Sequence, residues 1–406
     1  MKAIALGGCG LMGRHFVETA ILLKAFTQLT VADRNADAAR AYAAALAHPA
    51  VDALAVDARD RAALTDILRR YDVVVSTIGP YYLFGTTVLE CAIDAGCHYI
   101  DICDDPEPTL DMLGLHLKAR AAGITAIVGM GASPGVANLL ASTAIRNVEV
   151  PHRVVTTWGS ASRAKEEANA DTDLGAALEH WIEQLTGSIP VFRAGRITAG
   201  TPLAEVMLHV PGVGAVKAHT VGHPEPVTLP STFPSIREGI NAMVLSHGLV
   251  GLLKVLQARV DKRGQTVEQA ATLLRGIVLR KDMSGLSFGE SMFLLKSSLK
   301  ESLFGRRYIP AEMSAIAEGM HQGRRHICSA WLNGEIPGGM GPNTCIPTAI
   351  ALRMLAEKRI NKKGVHAPEA VIDAEPFFDH LRPFVRVRDT SQPIVTVREA
   401  FVKQPS

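Results

Sequence analysis

Short apolar runs and amphipathic stretches alternate along about the first 130 residues. The apolar runs predict strands at residues 3–6, 29–32, 53–56, 73–77, 99–102 and 125–128. Between them, apolar residues recur at helical spacing and predict helices over 11–26, 36–46, 59–69, 84–95 and 109–121. Repeated strand–helix units predict an α/β domain with a doubly wound parallel sheet. Because several strands are apolar throughout, we expect helices on both faces of this sheet.

This alternation stops near Gly129, where a segment rich in turn residues begins. Strand-like runs follow at residues 154–158, 191–197, 204–209, 213–219 and 227–229, and the stretch 235–323 is mainly helical in pattern. We therefore predict a first domain over 1–130 and a second, α+β domain over 131–343 with a helical insertion at about 235–323. The remaining segment, 344–406, contains one strong predicted helix at 346–358.

A glycine motif joins the first predicted strand to the first predicted helix. Gly8, Gly10 and Gly13 form a G-x-G-x-x-G sequence, and Asp33 follows twenty positions after Gly13. In Rossmann domains the three glycines permit the turn, the approach of the pyrophosphate and the close packing of the helix, whose N-terminus binds the phosphates. The spacing therefore predicts dinucleotide binding by the loop residues Gly8, Cys9, Gly10, Leu11, Met12 and Gly13.

The choice between NAD and NADP depends on two neighbouring residues. Asp33 accepts hydrogen bonds from both ribose hydroxyls and repels a 2′-phosphate, which favours NAD. Arg34 is either a solvated charge or a partner for adenine or for a 2′-phosphate, so NADP stays possible. We also expect Asp57 to bond the adenine amino group. Four residues after the fourth strand are expected to pass the nicotinamide ribose: Ser76, Thr77, Ile78 and Gly79.

Composition limits the kinds of binding partner that we expect and the part of the cell in which we expect the protein. The 42 Lys and Arg residues nearly balance the 40 Asp and Glu residues, which gives no electrostatic reason to expect a nucleic acid. None of the six cysteines has zinc-ligand spacing, so no metal is expected. The chain shows neither a signal-peptide pattern nor a membrane-spanning run. We expect a cytoplasmic protein with no membrane partner.

Several motifs together resemble the saccharopine dehydrogenase-like family, which includes saccharopine reductase, lysine 6-dehydrogenase and carboxynorspermidine dehydrogenase. The motifs are the run from Tyr71 to Tyr81, the AGCHYID sequence ending at Asp101, and the segments 131–138, 222–229 and 364–369. The resemblance thus covers the chain in patches. It implies that a returning C-terminal segment completes the Rossmann domain and that the middle domain carries a mixed sheet used for a homodimer. The helical stretch 235–323 departs from shorter members of the family.

Three residues are candidates for the chemistry. Asp101 ends the fifth predicted strand, at the sheet edge where such folds bind ligands, and can hold a substrate ammonium or take a proton. Tyr82 follows the expected nicotinamide segment and can lie over the ring. Glu225, between two prolines, is expected to contribute a carboxylate from the second domain. Weaker candidates for binding a substrate carboxylate are Arg163, Arg237 and Arg324.

The family resemblance implies hydride transfer at a C–N bond: oxidative deamination of an amine or amino acid, or reduction of the corresponding imine. The carboxylates near the predicted site favour an enzyme, and the absence of a nucleophile-elbow motif argues against a hydrolase. The alternative is a redox-sensing regulator that binds the dinucleotide without turnover. A dehydrogenase of an alcohol is a third possibility. The sequence leaves the substrate open.

Overall fold

The computed structural model describes residues 1–159, 174–304, 313–387 and 391–402. The chain folds into two compact units. The first unit combines Met1–Thr143 with Gly334–Ile394, and the second combines Ala144–Asn333 with the last strand of the chain.

The N-terminal part of the first unit alternates strands and helices. The strands are β1 (Lys2–Leu6), β2 (Gln28–Asp33), β3 (Val51–Ala55), β4 (Val73–Ser76), β5 (His98–Asp101) and β6 (Thr125–Ile127). The helices are α1 (Leu11–Leu22), α2 (Ala36–Leu46), α3 (Arg61–Leu68), α4 (Tyr81–Ala95), α5 (Pro106–Gly114), α6 (His116–Ala121) and α7 (Val136–Arg146). Local signals set their ends: the Asn35 side chain caps α2, and Gly96 ends α4 at φ +71°.

The second unit contains strands and a group of helices. The strands are β7 (Val150–Trp158), β8 (Ile189–Arg193), β9 (Arg196–Gly200), β10 (Glu205–Val210), β11 (Gly214–Thr220), β12 (Glu238–Met243), β13 (Met313–His321) and β14 (Arg324–Leu332). The helices are α8 (Leu174–Glu183), α9 (Glu225–Thr232), α10 (His247–Arg263), α11 (Val267–Arg280) and α12 (Phe288–Phe304).

The C-terminal part of the chain contributes to both units. Its elements are β15 (Gly334–Glu335), α13 (Met340–Ala356), β16 (Gly364–His366), α14 (Ala374–Leu381), β17 (Arg386–Val387) and β18 (Val395–Phe401). The predicted helix at 346–358 is thus longer and begins six residues earlier. Helix α13 packs on α1 and β16 pairs with β6, whereas β18 pairs with β14 of the second unit. The predicted segment 344–406 therefore does not lie wholly with the first unit.

The first unit is built on a seven-stranded parallel sheet in the order β16-β6-β5-β4-β1-β2-β3. Its central strands are buried, with Ala3, Ile4 and Val73–Val75 fully inaccessible to solvent. This confirms the predicted α/β fold class and the completion of the sheet by a C-terminal segment. After β3 the chain crosses back to place β4 beside β1, so the strand order reverses between these two strands. Ligands of such folds bind at this point, outside the carboxyl ends of the strands.

The second unit is built on a nine-stranded mixed sheet. Seven strands follow the order β10-β11-β12-β7-β13-β14-β18, and the β8–β9 hairpin joins it at β12. Helices α10, α11 and α12 stand between β12 and β13 in the chain, and their apolar residues form a separate core with α8. Among the described residues, no helix has the length and apolar character needed to span a membrane.

Two predictions for the second unit are wrong, and a third needs a refinement. Residues 227–229 lie in helix α9, not in a strand, because Pro226 fixes the dihedral angle that the first helical turn needs. The predicted strand 191–197 is a hairpin that turns at Ala194 and Gly195, both at positive φ. The stretch 235–323 is mainly helical, as predicted, but it also contains β12 and β13. Short apolar runs of this kind suit a strand and a buried helix equally well.

Candidate active site

The glycine loop lies at the reversal point of the parallel sheet, between β1 and α1. Gly7 supplies the left-handed conformation of the turn, at φ +73°, so this role belongs to Gly7 and not to Gly8 as expected. The N–H groups of Gly7 and Gly8 both donate to Ala32 O, at 2.9 and 3.1 Å. These bonds tie the loop to the end of β2, where Asp33 follows.

Gly13 is required by close packing between helix and loop. A Cβ at Gly13 would lie 2.1 Å from Gly7 O, and one at Gly8 would lie 2.8 Å from Ala5 O. At Gly10 the nearest atom would be 3.2 Å away. Gly10 is the exposed N-cap of α1 and has no side chain, so its backbone and the first N–H groups of the helix are open to a ligand. This arrangement fits the pyrophosphate of a dinucleotide.

The segment after β4 runs beside this loop. The Thr77 hydroxyl donates to Leu6 O at 3.0 Å, and its backbone N–H donates to the same oxygen. Ser76 is buried, Ile78 is half-buried and Gly79 is exposed, with open space where a Cβ would stand. The structure therefore places Ser76, Thr77, Ile78 and Gly79 at the same sheet edge as the glycine loop.

Asp33 lies against the glycine loop at the end of β2. Its Oδ1 accepts from Asn35 N at 3.0 Å, and its carboxylate also interacts with the Cys9 thiol. Burial, reinforced by Asp33, raises the pKa of Cys9 to about 11, so the thiol stays protonated and can donate. Asp33 is half-buried, while Arg34 is exposed. Both residues are at the end of β2 beside the glycine loop, and their role in recognising a ribose stays a prediction.

Asp57, the predicted adenine partner, is paired with Arg59. The Arg59 guanidinium donates to both carboxylate oxygens of Asp57, with a shortest distance of 2.5 Å. Hydrogen bonds from Arg59, and to a smaller extent the charge of Arg34, lower the pKa of Asp57 to about 2. Sequence analysis missed Arg59, although its position two residues after Asp57 is typical of such a local pair.

Helix α13, from the C-terminal segment, contacts the glycine loop and the loop that follows β6. The buried Cys345 thiol donates to Met12 O at 3.0 Å, and the Thr348 hydroxyl donates to Met130 O at 2.6 Å. Sequence analysis did not identify either residue, since no local motif marks a contact across more than 200 positions. The glycine loop is therefore held from two sides, by β2 and by α13.

Asp101 ends β5 and is fully buried. Its Oδ1 accepts from Gly129 N at 2.6 Å and from Cys103 N at 3.1 Å, and its Oδ2 accepts from the Tyr99 hydroxyl at 2.7 Å. Burial raises the pKa of Asp101 to about 6, against the opposing effect of these hydrogen bonds. The catalytic role stays a prediction. These contacts favour a different one, because the carboxylate accepts three hydrogen bonds and holds two stretches of backbone.

The segment that Asp101 holds, residues 129–135, is a tightly folded loop. A Cβ at Gly129 would lie 2.6 Å from the Pro134 ring, and one at Gly135 would lie 2.0 Å from Gly131 O. Asn138 accepts from Gly135 N and donates to Glu369 Oε2 at 2.8 Å, and both side chains are buried. The structure thus joins two of the motifs that carry the family resemblance, although sequence analysis assigned no role to Asn138 or Glu369.

The two tyrosines after Pro80 have different environments. The side chain of Tyr82 is 71% exposed at the start of α4 and makes no hydrogen bond in the described part of the chain. Tyr81 is buried, donates to Ser76 O at 3.1 Å and accepts from Ile102 N. Burial raises the pKa of Tyr81 well above its usual value. Tyr81 therefore links the ends of β4 and β5, while a catalytic role for Tyr82 stays a prediction.

Glu225 is the first residue of α9 and is fully buried within the second unit. Its Oε2 lies 3.6 Å from Nδ1 of His223, whose Nε2 is 3.2 Å from Gln184 Oε1. The amide of Gln184 in turn lies 2.9 Å from His180 Nε2. The His223 ring packs against Trp158, with ring centroids 5.3 Å apart. Glu225 thus belongs to a row of polar side chains that includes two imidazoles, which sequence analysis had not joined.

The weaker candidates have separate surroundings. Arg163 lies outside the described residues. Arg237 lies against the backbone of Gly195, and Arg324 stacks over the Phe401 ring at 4.6 Å. Nothing in these contacts points to a substrate carboxylate.

Comparison with known proteins agrees with this geometry. Residues 4–127 match the family model described as "Saccharopine dehydrogenase NADP binding domain". The chain is 20% identical over 399 residues to carboxyaminopropylagmatine dehydrogenase of Synechocystis sp., covering 94% of this chain and 95% of that protein. It is 28% identical over 157 residues to saccharopine dehydrogenase [NADP(+), L-glutamate-forming] of Pyricularia oryzae, covering 39% of this chain and 33% of that one.

The fold is similar to that of a solved relative. Apo saccharopine dehydrogenase (L-Glu forming) from Saccharomyces cerevisiae superposes with a TM-score of 0.64 at 16% identity, over 99% of this chain and 100% of that one. These matches confirm the family resemblance. The chain is therefore similar to saccharopine dehydrogenase-like oxidoreductases in sequence and in fold, and its residues 4–127 match the NADP-binding domain of that family.

Proposed function

We propose that the protein catalyses hydride transfer at a C–N bond, as an amine or amino-acid dehydrogenase or as an imine reductase in the opposite direction. One observation carries the proposal: Glu225, a fully buried carboxylate, lies 3.6 Å from the His223 imidazole in a row of polar side chains. Such a pair can hold a cationic amine and accept its proton, which C–N oxidation requires. The dehydrogenases among the relatives support the same class of reaction.

The first unit would bind the dinucleotide. The N–H groups at the start of α1 would bind the pyrophosphate, and the segment from Ser76 to Gly79 would run along the nicotinamide ribose. When bound, the nicotinamide accepts the hydride from the substrate carbon or returns it. The substrate nitrogen then loses a proton or stays as an iminium, which water hydrolyses to a carbonyl and an amine.

We propose NAD as the preferred dinucleotide, with NADP as the alternative. Asp33 supports NAD, because its half-buried carboxylate would repel a 2′-phosphate. Arg34 and Arg59, both exposed beside it, would favour NADP, and the matching family model is named for NADP. Calorimetric titration of the protein with each dinucleotide compares the two affinities.

The function is tested by a panel of amines, amino acids and keto acids, with each dinucleotide and in both directions. We expect turnover, followed at the absorbance of reduced nicotinamide, together with release of ammonia or of an amine. Turnover of alcohols without amine release would instead show an alcohol dehydrogenase. Tight dinucleotide binding with no turnover on any compound would support a redox-sensing regulator.

A further inference from the structure

Helix α12 of the second unit exposes a row of large apolar side chains. Phe288 is 83% exposed, Leu295 61%, Leu299 57% and Met292 38%. Their spacing of four, three and four residues places them on one face of the helix. We call Phe288, Met292, Leu295 and Leu299 the α12 ridge.

The α12 ridge points away from the rest of the helical group. Helix α12 packs on α10 through the opposite face, where Leu294 and Glu290 are buried and Ser297 lies against Gly251. At 100° per residue, the ridge residues lie on the other side of the helix from Leu294. Burial within this helical group therefore does not explain why these four positions are apolar.

The neighbouring loop extends the exposed apolar surface. Nearly every residue from Lys281 to Gly289 is exposed, and Met283 in this loop adds a further apolar side chain at 41%. Scattered single apolar residues on a surface need no explanation, but a contiguous group of this kind marks a contact surface.

The charge around the ridge is positive. Within residues 280–299, whose burial the structure describes, Arg280, Lys281 and Lys296 are exposed, against one exposed carboxylate, Asp282. Glu290 adds no negative charge to the surface, since it is buried and paired with Arg259 and Arg263. The chain as a whole has a net charge of only +2, so this positive balance is local.

We propose that the α12 ridge docks on an anionic lipid surface, with its apolar side chains inserted at the level of the headgroups. Apolar residues on one helix face with flanking cations are the pattern of helices that lie in a membrane interface. A second copy of the chain would bring two surfaces of the same charge together. A helical peptide partner would need a groove, whereas Phe288 protrudes. The proposal departs from the expectation of no membrane partner, which rested on spanning and signal segments alone.

Sedimentation with lipid vesicles tests the proposal on the full chain. Vesicles of phosphatidylcholine alone are compared with vesicles containing about 30% phosphatidylglycerol, at low salt and at about 0.5 M salt, where screening is strong. We expect at least tenfold stronger partitioning onto the anionic vesicles, weakened by salt. Equal or absent sedimentation with both kinds of vesicle would overturn the proposal.

Matched variants separate the ridge from a general effect of apolar surface. The double variant Phe288→Ser, Leu295→Ser is expected to lose at least tenfold in partitioning with an unchanged melting temperature. The control Leu22→Ser, Leu117→Ser removes side chains that are 72% and 70% exposed in the first unit, and is expected to bind like the unmodified protein. Equal losses in both variants would contradict a specific surface.

A charge variant and a measurement of mass complete the test. Lys281→Glu combined with Lys296→Glu leaves the apolar residues in place and is expected to reduce binding at low salt at least tenfold. If light scattering instead shows a dimer that the Phe288→Ser, Leu295→Ser variant converts to a monomer, a second copy covers the ridge and the lipid proposal is wrong.

Discussion

The two carboxylates singled out in this chain, Asp101 in the first unit and Glu225 in the second, are both fully buried but have different partners. Asp101 accepts hydrogen bonds from two backbone N–H groups and one phenol. Glu225 lies beside the His223 imidazole, whose other ring nitrogen is within hydrogen-bond distance of Gln184. Backbone N–H donors are fixed and keep their protons, whereas an imidazole has ring nitrogens that can either donate or accept a hydrogen bond. The partners of a buried carboxylate, more than its burial, therefore distinguish a group that holds a loop from one that we propose to move a proton.

The largest expected effect is on turnover, at Glu225. Glu225→Gln keeps the size of the side chain but removes the charge, and we expect kcat to fall at least a hundredfold, the usual lower range for loss of a general acid–base group. Dinucleotide affinity should not change. The control Glu205→Gln removes a half-exposed carboxylate of the same unit that pairs with Lys217. A kcat within about threefold of normal would remove Glu225 from proton transfer.

The next effect is on stability, at Asp101. Asp101→Ala leaves two buried backbone N–H groups and the Tyr99 hydroxyl without their acceptor, and we expect the free energy of unfolding to fall by about 3 kcal/mol. Asp101→Asn keeps an oxygen toward Gly129 N and Cys103 N, and should cost much less. Denaturant unfolding of the three proteins measures this. If Asp101→Asn instead keeps full stability but loses at least tenfold in turnover, the charge itself is catalytic.

Asp101 also predicts a dependence of stability on pH. Its pKa in the folded protein, about 6, lies above the value of 3.8 for an unperturbed carboxyl. The group therefore stabilises the fold fully below about pH 4, and this contribution is lost as pH rises through 6. Relative to Asp101→Asn, the free energy of unfolding should fall by on the order of 2 kcal/mol between pH 4 and pH 7. Parallel pH profiles for the two proteins would show that Asp101 titrates normally.

In the glycine loop, close packing of the backbone, and not a side chain, is expected to control dinucleotide binding. Gly13→Ala puts a methyl group against Gly7 O, and we expect dinucleotide binding to weaken at least tenfold, about 1.4 kcal/mol. Gly10→Ala is the comparison, because its methyl group would meet only one protein atom, at 3.2 Å, so that a loss of affinity there reports contact with the ligand. Calorimetric titration compares the two. Equal losses of affinity in the two variants would mean that the dinucleotide lies as close to Gly10 as the glycine loop lies to Gly13.

The smallest expected effect is on the choice of dinucleotide. Asp33→Ser removes the carboxylate at the end of β2 and should improve NADP relative to NAD by about tenfold, or 1.4 kcal/mol. The ratio of the two dissociation constants measures this without any substrate. If the unmodified protein already prefers NADP strongly, Arg34 controls the choice and the role assigned to Asp33 is wrong.

The sequence predicts the first unit better than the second for a physical reason. Buried parallel strands such as β1 and β4 are short apolar runs between amphipathic helices, and the two periodicities are easily separated. In the second unit, β12 and β13 flank long helices, and their apolar runs do not reveal strand pairing. The prolines of helix α9 are equally compatible with a turn and with the first turn of a helix, so they do not reveal this helix in the sequence.

The residues of the candidate site also divide into those that the sequence pattern predicts and those that it does not. Gly13 and Asp33 have fixed spacing in the sequence because they lie in one strand–turn–helix unit. The contacts of Cys345 with Met12 and of Asn138 with Glu369 join residues more than 200 positions apart. No periodicity carries such information, so these partners are visible only in the folded chain.

The late return of the chain to the first unit has a consequence for its synthesis. Strand β6 ends at Ile127, but its neighbour β16 begins only at Gly364, and the helix that holds the glycine loop begins at Met340. At the usual pace of translation, about 5–20 residues per second, roughly 10 to 50 seconds separate the two strands. During that interval the nascent domain has an open sheet edge and an uncovered face on α1. We expect a ribosome-bound chain stalled before Met340 to be sensitive to protease and to recruit chaperones, and one that has passed His366 to be protected.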